Sequence, residues 1–275
     1  MTSSLSIGIV LRRALRIYAE QARVLLMAAF AVDGIVLLDR VQFKSSPVLA
    51  IVALIVNLVV IGLFVALVVL VVADVYDGGS RRGARELLAG AWAALGSLLL
   101  VGLLAGLVFT FLSAIATTIL SIVIASVVLN TGGGVLVLIV GLLLVPVLVL
   151  VPELFLITIW SVIAAVVVLE RPGGLRAFGR SRKLVRGNGW RVLALIVVLA
   201  FPLALAAGAI ERTARTAGIA PATVIQLLVA TLLVQVPAIT AAVLYFELRR
   251  GEPTPAPADP TSPLGPPPDA TIPSV

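Results

Sequence analysis

The chain has no cysteine and no histidine among its 275 residues. That removes disulfides, Cys/His metal sites and every nucleophile that depends on a Ser/His or Cys/His pair. Charge is scarce too: Asp, Glu, Lys and Arg make up 12% of the sequence, against about 25% in a soluble domain. Water is not the expected main solvent. A transmembrane β-barrel would show segments of about ten residues alternating apolar and polar. Runs such as LIVNLVVIGLFVALVVLVV from Leu54 do not alternate.

What the chain has in quantity is apolar length. Hydrophobic residues make up 61% and the mean hydropathy is +1.22. The apolar residues come in runs long enough for a helix to cross roughly 30 Å of hydrocarbon at about 1.5 Å per residue. This predicts an all-α fold, a polytopic transmembrane helical bundle of about six spans. The spans are expected near residues 22–38, 48–73, 97–125, 135–168, 192–210 and 222–246. Residues 1–250 form a single transmembrane domain. Residues 251–275 are so rich in proline that they are expected to be a disordered cytoplasmic tail. Its PxxP matches follow from proline density alone.

The net charge is +7. In a soluble protein this would suggest nucleic acid, but here the charge sits between spans. Membrane lipids with anionic headgroups are the nearer partner, and no nucleic acid is expected. The segment from Glu170 to Arg191 carries seven of the twenty Lys and Arg residues. With Arg12, Arg13, Arg16, Arg23, Arg81, Arg82, Arg85, Arg249 and Arg250 it puts sixteen cations on one side of the six-span frame. Only Arg40, Lys44, Arg212 and Arg215 fall on the other. The Lys/Arg excess marks the cytoplasmic side, so both termini are expected there. Arginine far outnumbers lysine, as in GC-rich bacterial coding, which points to a bacterial cytoplasmic (inner) membrane. Tyr18, Tyr76, Trp92, Trp190 and Tyr245 fall at span ends on the same side, as an interfacial aromatic belt would.

Two regions, 97–130 and 134–169, are too long for a straight crossing. Steep tilt, extension beyond the bilayer and a re-entrant hairpin all remain open, and two double crossings would give eight spans with the termini unmoved. Pro146 and Pro152 are expected to kink the second region. The first span is marginal, because Asp33 costs about 3 kcal/mol at a helix centre, which offsets its apolar residues at roughly −0.4 kcal/mol each. A signal-peptide cut near Ala29-Phe30-Ala31 is disfavoured, since the apolar stretch before it is short.

Basic amphipathic stretches lead into spans from Ile7, Ser80 and Leu175. In the first, Ile7, Leu11, Ala14 and Tyr18 share a face away from Arg12, Arg13 and Arg16. In the third, Arg176, Arg180 and Lys183 form a stripe, with Leu175, Phe178 and Val185 off it. Each is expected to rest on the cytoplasmic leaflet, apolar side down, whether as a true repeat or as the ordinary basic start of a span. The candidate lipid or partner contacts are Arg176, Arg180, Arg182, Lys183, Arg186, Trp190 and Arg191.

Polar residues inside spans are also candidates for function, because burying a charge there costs at least about 2.5 kcal/mol. Asp33, Asn57 and Glu153, with Gln226 and Gln235, line either a polar path or a packed cluster. Packing is favoured, since no span holds an Arg, Lys or His partner. The small residues Gly102 and Gly106, and Ala204 and Gly208, are expected to let helices approach closely within the chain. The segment Asp74-Val-Tyr-Asp77-Gly78-Gly79-Ser80-Arg81-Arg82 resembles the opening half of the CDP-alcohol phosphotransferase motif. Arg81 replaces the family's alanine and no acidic residue occurs between Glu86 and Glu153, so too few oxygens are present to hold a metal.

Trp160, then Leu169-Glu170, then Gly174-Leu-Arg-Ala-Phe-Gly-Arg-Ser181-Arg-Lys-Leu-Val-Arg-Gly-Asn188-Gly-Trp190-Arg-Val-Leu resembles an uncharacterised bacterial multi-pass family. That family includes the membrane domain of glycerophosphoryl diester phosphodiesterases. The resemblance implies a membrane domain over about residues 5 to 247. It implies no phosphodiesterase activity, because the soluble barrel with its catalytic His and acidic residues is absent. The expected role is a non-enzymatic membrane module or scaffold, without cofactor or metal, that contacts anionic lipid or a protein partner. A transporter or channel using Glu153 and Asp33 is the alternative, and a lipid-headgroup enzyme comes third.

Overall fold

A computed structural model of the chain describes residues 6–42, 47–78, 82–131, 134–135, 139, 143, 147, 151–217, 224–227, 229, 231–232 and 235–251. The proline-rich tail from 252, Lys44, Arg81 and Pro146 lie outside the described residues. Among the described residues the fold is all-α. The helices are α1 (Ile7–Glu20), α2 (Ala22–Gln42), α3 (Pro47–Tyr76), α4 (Ala84–Thr131), α5 (Val151–Trp160), α6 (Ile163–Leu169), α7 (Gly174–Val185), α8 (Gly189–Ala217) and α9 (Gln235–Arg250).

Among the described residues four stretches are long and apolar enough to cross a membrane: Ile51–Tyr76, Ala84–Ser126, Val151–Leu169 and Gly189–Ile210. The chain thus has the make-up of a multi-pass membrane protein. Of the other two expected spans, 22–38 falls in helix α2, which carries Arg23, Asp33 and Asp39, each costly in hydrocarbon. The last, 222–246, lies partly outside the described residues; those described in it are helical, and Gln235–Arg250 form α9.

Helices α1 and α2 are nearly one rod. The Gln21 amide donates to the Ile17 carbonyl at 2.9 Å and the Leu25 amide to the Gln21 carbonyl at 3.0 Å, so the helix bends there without losing its ladder. Val10, Ala14 and Ile17 before Gln21, and Leu25 and Ala29 after it, are buried, each set at three-and-four spacing as an apolar helix face requires. Helix α4 runs unbroken for 48 residues, about 72 Å. Its continuity excludes a re-entrant hairpin or double crossing within residues 97–130. Helices α3 and α4 pack antiparallel. A Cβ at Gly62 would stand 3.0 Å from Leu95 Cδ1, and one at Gly90 would stand 3.0 Å from Leu70 Cδ1.

Burial is concentrated at one end of the bundle. Val68 to Ala73 of α3, Ala91, Ala94, Leu95 and Leu98 of α4, Ala165 to Val168 of α6 and half of α9 are enclosed. Helix α9 packs against α1, α3, α6, α7 and α8, which makes it the axis of a packed lobe. Away from the lobe the helices separate, and Ile51, Leu54, Leu103, Leu107, Phe111, Phe201 and Leu205 are exposed. Among the described residues the expected close packing at Gly102, Gly106 and Gly208 is not found, because a Cβ at any of them would meet nothing within 4 Å. Small residues permit approach; the partner's position decides whether it happens.

Candidate functional site

Helix α7 is set by the reversal before it. Arg171 and Gly173 both take left-handed backbone, with φ of +48 and +83, and Pro172 between them has no amide to continue α6. The chain folds back, and Ala177, Ser181, Leu184 and Val185 become buried against α4, α5, α6 and α9. The helix is interrupted at Ser161 and Val162, and there the Ser181 hydroxyl donates to the Ile159 carbonyl at 2.7 Å. Trp160 lies edge-on to Phe109 and Phe178, with ring centroids 5.8 and 4.9 Å away. Protein covers part of the apolar side of α7 and part of that of α1, which packs on α9, while Leu175, Ile9 and Leu15 stay exposed.

The basic residues of α7 split into two groups. Arg180 turns inward, donating from Nε to Glu170 Oε2 at 2.8 Å and from Nη2 to Glu170 Oε1 at 3.1 Å. Tyr245 donates its hydroxyl to Glu170 Oε1 at 2.8 Å, and Arg249 Nη1 donates to the Tyr245 oxygen at 3.3 Å. Burial pushes the Glu170 carboxyl up, but the hydrogen bonds from Arg180 and Tyr245 and the charges of Arg180 and Arg249 outweigh it and hold the group below its ordinary value. A second hub lies on the same helix turns. Glu247 Oε1 accepts from Arg13, from the Tyr76 hydroxyl at 3.1 Å and from Arg250 at 3.3 Å. Tyr76 stacks on Phe246 at 4.3 Å, with the Arg250 guanidinium 5.1 Å from its ring centroid.

The other group faces outward. Arg176, Arg182, Lys183, Arg186 and Arg191 are exposed, and Trp190 is 84% exposed. Arg191 Nη1 bonds Asn188 Oδ1 at 3.2 Å. Arg180 differs from these neighbours in being paired with Glu170. The aromatic set divides likewise. Trp92 and Trp190 are exposed, while Tyr245 is fully enclosed, and Tyr18 and Tyr76 are half-buried with hydroxyls engaged. The three tyrosine hydroxyls are thus engaged within the protein, whereas Trp92 and Trp190 are not enclosed.

Comparison with protein-family models, curated proteins and solved structures returned no match.

Among the described residues Asp33 and Glu153 are not brought together, whereas Asp33 and Gln235 both bond Thr231. Glu153 accepts from the Ser113 hydroxyl of α4 at 2.8 Å. Asp33 accepts from the Thr231 hydroxyl at 2.9 Å. Each carboxylate has its own hydroxyl donor and they share none. Asn57 Oδ1 is buried with no donor among the described residues. At the aspartate motif, the Arg82 amide donates to Asp74 Oδ2 at 3.3 Å and its guanidinium reaches Asp77 at 3.5 Å. The two aspartates thus face an arginine. No metal-holding group of His, Cys, Asp or Glu occurs among the described residues. Sequence reasoning missed Glu247, Ser113, Ser181 and Thr231. The one available sign was Tyr245-Phe-Glu-Leu-Arg-Arg250, where both charge signs and two aromatics crowd into two helical turns.

Proposed function

We propose that this is a non-enzymatic multi-pass membrane module whose packed lobe sits at the cytoplasmic face and binds anionic phosphate headgroups. The observation that carries the reading is the segregation of exposed charge. Helix α1 runs beside α9 with Arg12, Arg16 and Glu20 on its outer side, and each would cost about 2.5–3.5 kcal/mol in hydrocarbon. The exposed cations of α7 and the start of α8 surround the same lobe. The apolar, loosely packed parts of α3, α4 and α8 suit the hydrocarbon. Six crossings with both termini cytoplasmic fit this arrangement, because α1, the end of α3, α7 and the end of α9 all meet at the lobe. The likeness of residues 174–193 to the membrane-domain family supports a non-catalytic module as well.

Each Lys or Arg near an anionic surface contributes about 1 kcal/mol. Arg182→Gln, Lys183→Gln and Arg186→Gln together should therefore weaken headgroup binding by more than about tenfold. Purified protein is incubated with equimolar phosphatidylglycerol and phosphatidylcholine, and the retained lipid is read by native mass spectrometry. The wild type should retain phosphatidylglycerol in excess and the triple variant should not. Equal retention by both proteins refutes the headgroup reading.

A further inference from the structure

The headgroup reading leaves one polar cluster unused. Thr231 donates its hydroxyl to Asp33 Oδ2 at 2.9 Å, and Gln235 Nε2 donates to the Thr231 carbonyl at 2.5 Å. Tyr18 donates its hydroxyl to the next carbonyl, that of Leu232, at 3.2 Å. Gln235 is 0% exposed, and no donor among the described residues reaches its Oε1. A buried acceptor without a donor costs about 1–3 kcal/mol. A carboxylate whose only resolved partner is a hydroxyl is also poorly compensated in apolar surroundings. Both groups bond Thr231, Asp33 at its hydroxyl and Gln235 at its carbonyl, and each keeps acceptor capacity that a positive charge would fill.

We propose that Asp33, Thr231 and Gln235 form a binding site for a single monovalent cation, an alkali-metal ion or a proton. The charge balance selects this class. One carboxylate matches one positive charge, whereas a divalent ion asks for about six or more oxygens and usually several carboxylates. The ligands are a carboxylate, a hydroxyl and an amide oxygen, all neutral except Asp33. Among the described residues no protein cation pairs with Asp33. Helix α3 has no charged residue from Pro47 through Ala73, and residues 224–235 have none. On α1, Arg13 is held by Glu247, Arg12, Arg16 and Glu20 are exposed, and Tyr18 is turned to Leu232. On α2 itself, Arg23 stands ten residues before Asp33, about 15 Å along the helix, and Asp39 and Arg40 follow at six and seven residues. The site joins α2 to the segment that leads into α9. Its occupancy therefore couples the membrane-facing helices to the axis of the lobe.

The test uses the full chain in detergent, with thermal unfolding followed by tryptophan fluorescence at constant ionic strength. Choline chloride is replaced by sodium or potassium chloride at pH 8, and separately the choline sample is taken from pH 8 to pH 5.5. A rise in Tm with sodium or potassium assigns the ion, and a rise only with acid assigns the proton. The expected shift is roughly 3–6 °C at ten times the dissociation constant. Glu170, held below its ordinary value, does not titrate in this window. Asp33→Asn should abolish the response and Gln235→Met should weaken it. A wild type with neither response overturns the site, as does a response that survives Asp33→Asn. If Asp33→Asn does not fold, a full-strength response in Gln235→Met overturns it.

Discussion

Replacing Arg180 by glutamine removes the cation that α7 directs into the lobe, and the exposure of the pair sets the size of the effect. The Arg180 and Glu170 side chains are 24% and 20% exposed. Removing one partner of a fully buried pair costs about 3–5 kcal/mol, while an exposed pair contributes about 0–1 kcal/mol. Two-point contact and partial burial put Arg180→Gln between these, at about 2 kcal/mol. The pH dependence follows from Glu170. Its folded-state carboxyl lies below the ordinary value, which is about 4.3 for glutamate. The contribution of the pair is therefore fully present above about pH 4.3 and is lost as pH falls through the lowered value. The gap between wild type and variant should close in acid and stay open at neutral and basic pH.

Trp160 supplies the assay for that gap, since it packs edge-on against Phe178 of α7 at 4.9 Å. With Trp92→Phe and Trp190→Phe as background, Trp160 is the sole tryptophan, and its fluorescence during denaturant unfolding in mild detergent reports the docking of α7. Arg182→Gln, on the exposed side of the same helix, serves as the control and should stay within about 0.5 kcal/mol of wild type. If Arg180→Gln matches Arg182→Gln, or if the gap is the same at pH 3 and pH 7, the inward pair does not hold α7.

Ser181→Ala leaves the Ile159 carbonyl without its side-chain donor and should cost about 1–2 kcal/mol, measured by the same Trp160 unfolding curve. A loss under about 0.3 kcal/mol would mean that the bond does not help dock α7. Gly102→Ala and Gly106→Ala should leave stability unchanged or raise it by up to about 1 kcal/mol, since alanine is the better helix former and nothing stands within 4 Å of the new Cβ. Gly174→Ala should instead lose about 1 kcal/mol or more, because its Cβ would lie 2.7 Å from Leu100 Cδ2. Thermal unfolding of the three variants side by side decides this, and a marked loss at Gly106 would contradict the open face.

The helical class and the four long spans were legible because apolar runs of that length have few other solutions. Marginal segments were less so. Asp33 weakens 22–38 as a span, and in the fold this segment continues the α1 rod and bonds Thr231. The stretch 222–246 has a hydropathy that says nothing of its neighbours. Its second half becomes α9, where Ile239, Val243 and Leu244 are enclosed by other helices. A buried helix and a lipid-facing one need the same residues, so composition does not separate them.

The basic segment shows the same limit for charge. From sequence, Arg176, Arg180, Arg182 and Lys183 are equivalent cations on one short helix. The orientation of α7 decides among them, and long-range contacts fix that orientation: Ser181 to Ile159, Phe178 to Trp160 and Arg180 to Glu170. Glu170 accepts Arg180 because Tyr245 and Arg249 already face it from α9, 75 residues away in the case of the Tyr245 bond. Once Arg180 is committed inward, α7 cannot roll, and Arg176, Arg182 and Lys183 are held outward together. The internal ion pair thus holds the outer cations to one side, and on the proposed headgroup reading Arg180→Gln should weaken binding although Arg180 itself is turned to Glu170.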